Sequence, residues 1–176
     1  MKIFIKHALK IMFAYTTAAA VFTFFVIAPL SMANNMTLWL LMYSFVMFLF
    51  MFFMVSKTAF SIGKAERYDN NLHPNIAKGF LYGTAAMIPY LILGLIHLLI
   101  FDNSLEIGLR IFHYIFRCAL GPMYFMINTL EYTWYAFLAA YATVPVISGL
   151  WYIMGLKGIE KLSITKKIKD DEDFLK

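Results

Sequence analysis

Apolar positions in this chain come in long unbroken blocks, not in an alternating or helical rhythm of apolar and polar residues. From Ile11 to Ser56 there is no charged residue, and further charge-free blocks run from Gly79 to Phe101 and from Tyr132 to Leu156. A helix rises ~1.5 Å per residue, so crossing ~30 Å of hydrocarbon takes about 20 apolar residues. The first block is long enough for two spans, about 11–33 and 37–56, joined by a tight hairpin at Asn34-Asn35, whose side chains favour turns. The other blocks predict one span each, about 79–101 and 132–156.

Between the last two spans lies a stretch of mixed character. Glu106, Arg110, His113 and Arg117 recur at helical spacing and fall on one stripe, while Leu109, Ile111, Phe112, Ile115 and Phe116 fill the other positions. That pattern predicts an amphipathic interfacial helix over about 104–119, ended by Gly121-Pro122. Read as a span it would bury two arginines and a glutamate in hydrocarbon, so four crossings are favoured over five. Residues 123–130 are too few to cross and predict a surface or re-entrant piece.

The charges set the expected orientation. Thirteen of the fifteen Lys and Arg residues fall before Ile11, between Lys57 and Lys78, or after Leu156. Short Lys/Arg-rich segments stay cytoplasmic, so both ends and the central loop are expected inside, with the amphipathic helix on the outer side. The fold class that follows is an all-α membrane protein of one domain, with four transmembrane helices and a cytoplasmic tail over 157–176. The tail's first half is basic and its end, Asp170 to Asp173, is acidic. A composition of 62% hydrophobic residues and a mean hydropathy of +0.72 agree with this class. The net charge of +5 reflects topology and does not point to nucleic acid.

Side-chain size predicts how the spans pack. Ala14, Ala18 and Ala19 in the first span, and Ala136, Ala139, Ala140, Thr143 and Gly149 in the fourth, form small faces expected to meet each other. The Phe/Met-rich second span is expected to face lipid. Gly79 and Gly83 form a GxxxG face for helix packing, and Pro89 and Pro145 are candidate helix kinks near mid-span.

Candidate chemistry is sparse. The stripe of Glu106, Arg110, His113 and Arg117 has the guanidinium forks suited to anions or lipid headgroups. His97, with Glu131 as its nearest plausible partner, is a candidate intramembrane polar site. No metal site or cofactor is expected, and Cys118 is a lone thiol. No HExxH, GxSxG or P-loop pattern occurs. The leading expectation is therefore a non-enzymatic accessory or interaction subunit of a bacterial cytoplasmic membrane. Its partners would be the lipid bilayer and either another protein or further copies of itself. A small-solute transporter or channel acting as an oligomer ranks second, and a membrane enzyme acting on lipid headgroups third.

Overall fold

The computed structural model describes residues 2–26, 36–68, 75–100, 115–131 and 133–158. Among these every regular element is helical: α1 (Lys2–Phe25), α2 (Met36–Tyr68), α3 (Ala77–Ile100), a 3-10 turn (Gly121–Met123), α4 (Tyr124–Thr129) and α5 (Trp134–Lys157). Residues 115–119 form a further helical turn ahead of the 3-10 turn. Helices α1, α2, α3 and α5 are each long and apolar enough to cross a membrane. The central turn region is shorter than the charge pattern implies, because α2 continues past Ser56 to Tyr68 and α3 begins at Ala77. At 33 residues α2 is about 50 Å long, more than a bilayer's apolar core requires.

The long helices occupy the corners of a square. Each of α1 and α5 packs against both α2 and α3, and the α2–α5 and α3–α5 interfaces are the most extensive. Helices α1 and α5 stand at opposite corners, so the small faces of the first and fourth spans do not meet as expected. The reason lies in residues 115–129, which fold back between them. Tyr15 of α1 donates a hydrogen bond to the Ala119 carbonyl at 2.8 Å, and Phe116 stacks on Phe137 of α5 with ring centroids 6.2 Å apart. Ala14, Ala18 and Ala19 are buried, and Gly149 receives the Phe80 ring of α3.

Residues 123–130, expected to be a surface or re-entrant piece, pack with the preceding turn against the long helices. Phe116, Leu120, Met123 and Ile127 are buried, as are Gly121 and Pro122 at the helix break. A broken helix in an apolar interior needs partners for its freed backbone groups. Ser44 of α2 supplies two of them, donating to the Gly121 carbonyl at 2.7 Å and accepting from the Phe125 amide at 2.9 Å. Ser44 lies eight residues into α2, so the segment reaches about 12 Å below that helix's start. Ser44→Ala is expected to cost about 1 kcal/mol and to speed amide exchange at residues 121–125 selectively, measured by hydrogen exchange with mass detection.

Along the Phe/Met run of α2, Phe45, Phe50, Phe52 and Phe53 are exposed, Met47 and Met51 are buried, and Phe48 and Met54 are partly buried against the core. Close approach of backbones is confined to a few glycines. Gly63 and Gly155 lie where α2 crosses α5, and a Cβ on Gly155 would sit 3.2 Å from the Gly63 Cα and 3.0 Å from the Lys64 amide nitrogen.

Candidate functional site

The buried side of α2 follows one helical stripe: Ser44, Met47, Met51, Val55, Ala59 and Ile62. The next position on that stripe is Glu66, a carboxylate only 1% exposed. A buried carboxylate is costly unless its oxygens are met by donors. All three other long helices provide them. Oε1 accepts from the Tyr82 hydroxyl of α3 at 2.6 Å and from His7 Nδ1 of α1 at 3.0 Å. Oε2 accepts from the Tyr152 hydroxyl of α5 at 2.7 Å and lies 3.5 Å from Lys78 Nζ of α3.

These four partners match the roughly four lone-pair sites of a carboxylate. The short phenol contacts have the length of charge-assisted hydrogen bonds. Ring packing holds the donors in place. The Tyr82 ring meets His7 edge-on at 5.4 Å and Tyr152 edge-on at 5.8 Å, with Phe4 tilted against its other side at 5.0 Å. Because a carboxylate only accepts, the His7 proton facing it resides on Nδ1, which leaves Nε2 for any other partner. Among the described residues no buried side-chain nitrogen or oxygen lacks a hydrogen-bond partner.

Beside this clasp a cleft of about 390 Å³ opens between α1 and α2, with His7 in its wall. Lys10, Lys57, Thr58 and Ser61 add polar groups, and Met54 lies at the apolar end. The cleft and the clasp share the basic end of the bundle.

None of the residues singled out from the sequence donates to Glu66 among the described contacts. Glu106, Arg110 and His113 lie outside the described residues, and Arg117 is exposed on the turn at 115–119. His97 falls within α3, its side chain outside the description. Glu131 is exposed between α4 and α5 with φ of 55°, a left-handed conformation uncommon for a residue with a side chain. Pro89 is exposed within α3, while Pro145 lies within α5 against Gly83. Gly79 and Gly83 face α5, where a Cβ on Gly79 would come 2.5 Å from that of Tyr152 and one on Gly83 2.6 Å from the Pro145 Cα. Ser148 of α5 joins this contact, its hydroxyl 3.0 Å from the Gly79 carbonyl.

Glu66, His7, Tyr82 and Tyr152 were not among the predicted site residues. The signal that marks Glu66 is the continuation of the buried stripe of α2 beyond the end of the charge-free block. No family model, no curated protein and no solved structure matches this chain.

Proposed function

We propose that this protein is an accessory subunit of a membrane assembly, a fixed helical framework on which partner proteins are held. The observation that supports this reading is the Glu66 clasp. One carboxylate binds groups from all the other long helices, so no pair of helices can rock away from the rest at the basic end without exposing or unpairing it. Alternating access requires such rocking between halves of a bundle. The interior between the helices is also filled, with Tyr15, Met51, Met87 and Val144 each no more than 1% exposed. A solute path within one copy would have to displace these side chains.

The test is extraction of the tagged full-length protein from its native host into nanodiscs, followed by native mass measurement. A different protein retained in fixed stoichiometry is the expected result. Recovery of this chain only with copies of itself would overturn the accessory reading and put oligomeric transport first.

A further inference from the structure

We infer that the cleft between α1 and α2 binds the phosphate group of an anionic membrane lipid. On α2 its wall is one continuous stripe, Met54, Lys57, Thr58 and Ser61, and α1 contributes His7 and Lys10 from successive turns. Thr58 gives its hydroxyl proton to the Met54 carbonyl at 2.9 Å, so the donors that can meet an anion are Lys10, Lys57, Ser61 and the His7 ring. The one carboxylate nearby, Glu66, has both oxygens engaged in the clasp and holds His7 by Nδ1. Among the described residues no carboxylate pairs with Lys10 or Lys57. The cleft therefore gathers cationic groups that no carboxylate among the described residues neutralises.

Its position along the helices argues for a lipid over a soluble anion. Lys10 and Lys57 are the residues that bound the charge-free block, so they mark the level at which hydrocarbon gives way to headgroups. Met54 continues the cleft one turn further into the apolar layer, while His7 and Ser61 lie on its polar side. A ligand filling this space has a phosphate between the lysines and an acyl chain beside Met54. Exposed Phe50 and Phe53 carry the lipid-compatible surface onward along α2.

The experiment uses the full-length protein in nanodiscs of phosphatidylcholine containing a minority of phosphatidic acid, with retained lipid read by native mass. Wild type is expected to keep phosphatidic acid in preference to phosphatidylcholine. Each lysine near an anionic surface contributes enough binding that Lys10→Gln or Lys57→Gln should lower retention about fivefold, and the pair more than tenfold. Lys10→Arg with Lys57→Arg should restore it, and Lys6→Gln, on an exposed position outside the cleft, should change it less than about twofold. Equal retention by the double glutamine variant, or no preference for phosphatidic acid in wild type, would overturn the site. Displacement of the lipid by inorganic phosphate in the buffer would overturn the lipid assignment and leave a soluble anion as occupant. None of these outcomes depends on whether a partner protein is recovered.

Discussion

Glu66→Ala should be among the most destabilising single substitutions in this protein, lowering its stability by about 3–5 kcal/mol. The carboxylate is the shared acceptor of two tyrosines and a histidine, and its removal leaves a void and takes from Tyr82, Tyr152 and His7 the charged acceptor that they share. Glu66→Gln keeps the volume and one carbonyl acceptor, but its amide protons oppose the remaining donors, among them Lys78. It should cost about 1–3 kcal/mol, distinctly less than alanine. Tyr152→Phe, which unpairs only Oε2 from its closest donor, should fall near 1 kcal/mol. Thermal unfolding in nanodiscs followed by tryptophan fluorescence ranks the three. An alanine variant that melts with wild type would show that the clasp does not hold the helices together.

Gly155→Leu is expected to be comparably damaging for a different physical reason. At this crossing the obstacles are the Lys64 amide, the Gly63 Cα and the Phe60 carbonyl, all backbone, so no rotamer change can make room. The α2–α5 interface would have to open along its length, which exceeds the ~1–3 kcal/mol usual for overpacking between flexible side chains. Gly155→Ala should already cost about 2 kcal/mol. Ala142→Leu, on the exposed face of the same helix, supplies the comparison and should melt close to wild type. Measuring monodispersity by size exclusion together with thermal unfolding separates a failure to assemble from a simple loss of stability. A leucine variant that remains monodisperse and melts with wild type would mean that the two backbones are not in contact here.

The four long helices were legible because bilayer thickness acts directly on sequence: a block of about 20 apolar residues has few other uses. Pairing of the helices was less legible. Small faces on the first and fourth spans predicted their contact, but alanine permits close approach to any neighbour and carries no address. The segment that separates α1 from α5 is recognised by Ser44 and Tyr15, single polar side chains in long apolar blocks. Glu66 was missed for a related reason. Reading by charge ended the second span at Ser56 and made the following residues a connector with at most a short helical continuation, although Ala59, Ile62 and Glu66 prolong the spacing of Met47, Met51 and Val55. A carboxylate ordinarily marks solvent; here three distant residues, at positions 7, 82 and 152, bury it. Their convergence is a property of the assembled bundle that local pattern does not reveal.

The broken helix at Gly121-Pro122 also meets its partners in a definite chain order. Its helical ladder is interrupted there, although Met123 and Tyr124 still donate to the Leu120 and Gly121 carbonyls, and the remaining backbone capacity has to be met by side chains from elsewhere in the bundle. The side chains that do so, Tyr15 and Ser44, belong to α1 and α2, which leave the ribosome first. In chain order, therefore, the side chains that meet residues 115–129 precede that segment, and α5, whose Phe137 stacks on Phe116, follows it.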